Sequence, residues 1–173
     1  MNIVTGQKVV NFCSLYLPGI SFQAKKAMGF EIDGYMVLGV VFDNFRLDAK
    51  GRPLEMEGSV VALDKRAVTR YNLRNLFSFA FSEPRIRRLT IRAGRREYEK
   101  RNLIKRLGFK EEGIAREAWP YGGDAAVYSM LYKECPWIDH GKLSLPASSA
   151  RPDCHSAGAN SLKSANGALS SRA

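Results

Sequence analysis

Glu55 and Glu57 are a pair of carboxylates suited to proton transfer. They stand two apart in the stretch Leu54–Leu63, which reads as a strand, and a period of two puts both on one face. Two carboxylates this close repel when both are charged, so the charge on one helps the other hold a proton. That is the behaviour of a general base acting through water. The plain alternative is a solvent-exposed strand face. A second group follows at once: Lys65, Arg66 and Arg70 cluster where the strand gives way to a helix, and cations at a helix start suit a phosphorylated ligand. Tyr128 in the last strand is a candidate acid, although an aromatic in a strand is most often a packing residue. Trp119 and Tyr121 precede the Gly122-Gly123 turn, where they line a ligand pocket or cap the edge of the core.

Other chemistries are poorly supplied. The two histidines, His140 and His155, both fall late, so a Ser-His or Cys-His hydrolase lacks its base. Cys154-His155 has no CxxC or HxxxH partner, and no metal is expected. Cys13, Cys135 and Cys154 are few and widely spaced, which fits free thiols in a reducing compartment. No apolar run reaches the roughly 18 residues of a membrane span. Met1–Lys8 shows no signal-peptide pattern, so a cytoplasmic location without membrane contact is expected.

The chain of 173 residues carries a formal net charge of +10, and about half of its 27 basic residues lie between Lys65 and Arg106. Such a field attracts polyanions: nucleic acid, an acidic protein or a polyphosphorylated cofactor. Solvated helix faces are the bland reading of the same residues.

The elements that must position these groups follow from periodicity. Gln7–Leu17 reads as an amphipathic helix stopped by Pro18-Gly19. Strands at 27–33 and 35–45 flank Asp33-Gly34 as a hairpin, and Leu54–Leu63 makes a third. Asp64 caps a helix over 66–81 whose inward face is Leu73, Leu76, Phe77 and Ala80. Arg87–Ala93 is a strand. Arg95–Leu107 is a helix buried through Leu103, Ile104 and Leu107, with Gly108 beyond its end. Two more strands run over 109–118 and 125–134. This is an α/β layer fold with one mixed, mostly antiparallel sheet. It occupies residues 1–138; residues 139–173 are expected to be a disordered Ser/Ala/Gly-rich tail.

This order, with Leu107-Gly108-Phe109, Glu112-Gly113 and Tyr128-Ser129-Met130-Leu131, resembles the GNAT superfamily of acyl-CoA N-acyltransferases, in particular its ribosomal-protein-type branch. Gly39-Val40-Val41-Phe42-Asp43-Asn44, Met56-Glu57 and Thr69-Arg70 resemble compact phage and prophage members. The resemblance spans most of residues 3–137. It implies acetyl transfer from acetyl-CoA to a primary amine on a protein N-terminus, a lysine or a small molecule. It implies Glu57 as base and backbone amides of Val61, Ala62 and Leu63 as carbonyl donors. It implies a phosphate loop at Lys65, Arg66, Ala67, Val68, Thr69 and Arg70, with Arg95 and Arg96 meeting the 3′-phosphate. There are departures: the loop lacks the family's glycines, Glu97 stands where many members carry an Asn that contacts the cofactor, and Ile104 stands where classical members carry an acid Tyr. Two alternatives therefore stay open, a GNAT-like acyl-CoA-binding protein without catalysis and a basic nucleic-acid-binding module.

Overall fold

The computed structural model describes residues 1–23, 26–83 and 86–140. The expected tail falls, from residue 141 on, outside the described residues, as does Cys154.

The chain runs β1 (Asn2–Thr5), α1 (Gln7–Tyr16), β2 (Lys26–Ile32), β3 (Tyr35–Leu47), β4 (Pro53–Ala62), α2 (Arg70–Ala80), β5 (Arg88–Gly94), α3 (Tyr98–Arg106), β6 (Lys110–Ala115) and β7 (Ala125–Leu131). The strands form one sheet in the order β1-β2-β3-β4-β5-β7-β6. Every neighbouring pair is antiparallel except β4 and β5, which are parallel and joined through α2. The expected hairpin forms, with Asp33 and Gly34 both at positive φ.

Two apolar clusters coat the two faces. On one, Val9, Val10 and Cys13 of α1 pack on Ala27, Val41 and Val61. The approach is close: a Cβ on Gly39 would sit 2.8 Å from the Phe12 ring and 2.9 Å from Cys13 Sγ. On the other, Leu73, Phe77 and Ala80 of α2 meet Phe42, Met56, Leu89 and Ile91, the helix face expected from the sequence. Ile104 of α3, Leu107 just beyond its end and Trp137, whose indole donates to the Leu107 carbonyl at 2.8 Å, extend this second layer.

Three expectations change. The helix expected over 66–81 is two elements. Asp64 caps a short 3-10 turn, Lys65–Ala67, by accepting from the Arg66 amide, and Thr69 caps α2 by accepting from the Asn72 amide at 3.1 Å. Val68 ends the first element, and Thr69, in extended conformation, starts the second. The strand β1 was not expected, because four mostly exposed residues carry no readable alternation. The helix α3 begins at Tyr98 rather than Arg95 and has no buried residue, with Leu103 42% exposed. Ile104 and Leu107 are only partly buried against the core, and Leu103 and Leu107 border a cavity.

Candidate active site

β4 and β5 are paired only at Glu55–Arg88, Met56–Leu89 and Glu57–Thr90. Beyond that point β4 continues to Ala62 and β5 to Gly94 without pairing to each other, so two parallel strands part in the middle of the sheet. β3 holds β4 on its far side: the Leu63 amide donates to the Val37 carbonyl at 2.8 Å. Alternation along a strand then turns Val61 to β3 as well and turns the amides of Val60 and Ala62 towards the gap. Of the three expected amide donors, Ala62 alone faces the gap, and Val60 is one the sequence reading missed. Residue 60 lies mid-sheet yet is 48% exposed, as a side chain beside an open gap must be. Beneath the gap, on the α2–α3 side, lies an apolar cavity of about 80 Å³ lined by Gly58, Val60, Ile91, Phe77, Leu103 and Leu107 among others.

At the mouth of the gap, Lys65 and Arg70 make no ion pair among the described residues, whereas Arg66 is bound to Asp64 through Nε at 2.8 Å and Nη2 at 2.7 Å. Arg66 thereby holds the Asp64 carboxyl below its usual range. Ala67 is buried, its carbonyl accepting from Asn72 Nδ2 at 2.7 Å. Val68 is partly buried against the core. The loop is therefore a rigid capped corner presenting two unpaired cations.

The opposite face of the sheet carries the carboxylates. Glu55, Glu57, Arg88, Thr90, Arg92 and Ser129 share it by register, and no described helix covers it over β5, β7 and β6. Glu55 is fully engaged. Its Oε1 accepts from Thr90 Oγ1 at 2.7 Å and from Arg88 Nε at 3.0 Å, and Arg88 also binds Glu112, which is bonded by Ser129. Glu57, at the last paired position before the strands part, is held more lightly: Arg92 Nε lies 3.1 Å from Oε1, and Asn44 Nδ2 donates to Oε2 at 3.2 Å. The two carboxylates do share a face, but arginines separate them into independent ion pairs.

Tyr128 is fully buried on the α3 side. Its hydroxyl accepts from Arg101 Nε at 2.7 Å and donates to Glu111 Oε2 at 3.3 Å, and Lys105 joins Glu111 at 2.7 Å. This cluster ties α3 to β6 and β7. Lys105 and then Arg101 hold the Glu111 carboxyl below its ordinary range.

At the end of β5 a cleft of about 640 Å³ is lined by Gly94, Arg95, Arg96, Glu97, Tyr98, Trp119, Tyr121 and Asp124 among others. Trp119 and Tyr121 meet edge to face at 5.7 Å between ring centroids. Arg95 is paired with Asp124 at 2.9 Å; Arg96 is exposed and makes no ion pair among the described residues. Glu97 turns inward, accepting from the Gly94 amide at 2.8 Å and binding Lys100. Glu57 thus lies where β4 and β5 part and Lys65 and Arg70 follow the end of β4, Trp119 and Tyr121 line the separate cleft at the end of β5, and Tyr128 and Glu97 are engaged in structural bonds.

No protein-family model and no curated protein sequence matches the chain. Solved structures do. A ribosomal-protein-alanine N-acetyltransferase from Brucella melitensis is similar with a TM-score of 0.56 at 15% identity, covering 76% of this chain and 99% of that one. A putative acetyltransferase from Salmonella typhimurium, determined with its cofactor acetyl-CoA, gives 0.55 at 13%, covering 75% and 92%. A GNAT-family acetyltransferase from Streptococcus pneumoniae gives 0.51 at 15%, covering 61% of this chain; there the chain spans 65% of the relative's length. The parallel β4–β5 pair that parts midway, in a mixed sheet with helices on both faces, is the GNAT fold.

Proposed function

We propose that the protein is an acyltransferase that moves an acetyl group from acetyl-CoA to a primary amine. One observation carries the reading: β4 and β5 part just past Glu57, with an apolar cavity on one side of the sheet and this carboxylate on the other. The residues present fit an acyl-CoA. Unpaired strand amides at Val60 and Ala62 suit the amide groups of a pantetheine arm, and Lys65 and Arg70 stand free for its phosphates. Arg96 supplies a further cation beside the cleft. When bound, acetyl-CoA supplies the thioester-linked acetyl group. The chain orients it: the strand edges hold the arm in the gap, and the Ala62 amide is the donor best placed for a carbonyl. Glu57 accepts the proton of the amine, directly or through water, from the open face; the nitrogen would bond to the acetyl carbon as the C–S bond breaks, and the CoA thiolate would leave to solvent, which supplies its proton. Tyr128 enters as the anchor of α3 rather than as an acid.

The open face, flanked by Trp119 and Tyr121, receives the amine. A protein N-terminus or lysine is the acceptor class we favour, because an uncovered sheet face admits a chain end. Acetyl-CoA turnover on a panel of peptides and small amines tests the reading. Glu57→Gln lowers kcat at least about a hundredfold, in the range of lost general bases, while the Kd for acetyl-CoA stays within a factor of about two. Full turnover by Glu57→Gln would remove the proposed base.

A further inference from the structure

Between two paired positions, Asp43 opposite Glu57 and Arg46 opposite Glu55, β3 advances one residue more than β4. The extra residue makes a β-bulge, a device that bends a strand and re-aims a side chain. Asn44 lies within it at a φ of 50°, the left-handed region that most side chains avoid and Asn tolerates. In a regular strand residues 43 and 44 point to opposite faces. Here both reach the face of Glu57, while Phe45 keeps its place against the core on the other side.

Asn44 is tied down at both ends. Its backbone amide donates to Asp43 Oδ1 at 2.9 Å, and Asp43 Oδ2 accepts from the Gln23 amide at 2.9 Å. Its carboxamide then spans to β4, giving the hydrogen bond to Glu57 Oε2. With Arg92 on Oε1, each oxygen of Glu57 has one donor, and each donor comes from a different neighbouring strand. A carboxamide donates without bringing a charge, so it fixes the carboxylate without adding a second ion pair.

We propose that Asn44 is a positioning residue: the bulge turns its carboxamide onto Glu57, and together with Arg92 it fixes the orientation from which Glu57 meets the acceptor amine. The catalytic part of this inference rests on the reading of Glu57 as base. A strand bend with no further role is the competing account, and the two part company at the side chain. Asn44→Gly keeps the left-handed backbone and deletes the carboxamide.

Two measurements on the full chain decide it. In NMR spectra of the uniformly nitrogen-labelled protein, the Asn44 side-chain amide pair moves in Glu57→Gln while signals of the distant α1 stay in place. An unmoved Asn44 pair overturns the contact and the proposal with it. In acetyl transfer, Asn44→Gly lowers kcat about tenfold, as a modest misplacement of a reacting group does. The KM for acetyl-CoA and the unfolding midpoint stay near wild type, and Asn44→Gly adds no further loss in a Glu57→Gln background. Wild-type kcat in Asn44→Gly, with Glu57→Gln inactive, overturns the positioning role and leaves the base intact. Full kcat in Glu57→Gln removes the base and with it the catalytic part, whatever Asn44 does. A wild-type protein that transfers acetyl to no amine overturns both.

Discussion

Single side chains in this molecule sort by how completely their polar atoms are engaged. Glu55 is bonded by Thr90 and Arg88 and braces the sheet, whereas Glu57 keeps lighter bonds at the parting of the strands. Tyr128 belongs with the braces. Tyr128→Phe leaves Arg101 without its nearest acceptor and removes a donor to Glu111, and a loss of about 1–2 kcal/mol is expected from urea unfolding. The same variant retains acetyl transfer if Tyr128 is an anchor; an inactive, stable Tyr128→Phe would restore it as an acid. The thiols behave as packing groups. Burial pushes Cys13 up to about 12 and Cys135 up to about 11. At neutral pH neither supplies thiolate, so both resist alkylation in the folded protein and react once denaturant opens it. Labelling of Cys13 or Cys135 at native-state rates equal to a free thiol would contradict that burial.

At the scale of elements, close packing and turns set what varies. Gly39 lets α1 lie directly on β3, and Gly39→Val drives a side chain into Phe12 and Cys13; a thermal scan should show a loss of about 2–3 kcal/mol. The β3–β4 turn depends on Asp48, which accepts from the Lys50 and Arg52 amides and binds the Arg52 side chain. The Arg52 bonds hold the Asp48 carboxyl down at about 2. A depressed carboxyl stabilises the fold above its unfolded value, near 3.9, and that contribution fades as pH falls towards about 2. The turn should therefore loosen in that window in wild type, read from Lys50 and Gly51 amide signals, and Asp48→Asn should lose the pH dependence. Strong periodicity made β2 to β5, α1 and the apolar face of α2 legible in the sequence. The expected helix across Val68 failed because Asp64 and Thr69 are both caps, and the first of them was allotted the whole segment. Leu103, Ile104 and Leu107 have helical spacing, but spacing cannot show that Leu103 and Leu107 border a cavity. Glu57, Lys65 and Arg70 were singled out as candidates by type and place. Asn44 was not, because a bulge is a register event between strands and leaves only a polar residue in an apolar run.

The whole molecule is a basic body, with 27 Lys and Arg against 17 Asp and Glu. Thirteen ion pairs tie many of these together among the described residues, so the useful field comes from those left over, including Lys65, Arg70 and Arg96. Binding of a polyphosphate should accordingly weaken as salt rises, because these cations are exposed and screened. Calorimetric titration of acetyl-CoA into the full chain at low and moderate ionic strength decides whether the gap holds this ligand. Saturable binding is expected at one site per chain, weaker at the higher salt and reduced about tenfold or more, or roughly 1.4 kcal/mol, in a Lys65→Ala/Arg70→Ala variant with an unchanged unfolding midpoint. No saturable binding at either ionic strength, or equal affinity in that variant, would contradict an acyl-CoA seated between β4 and β5.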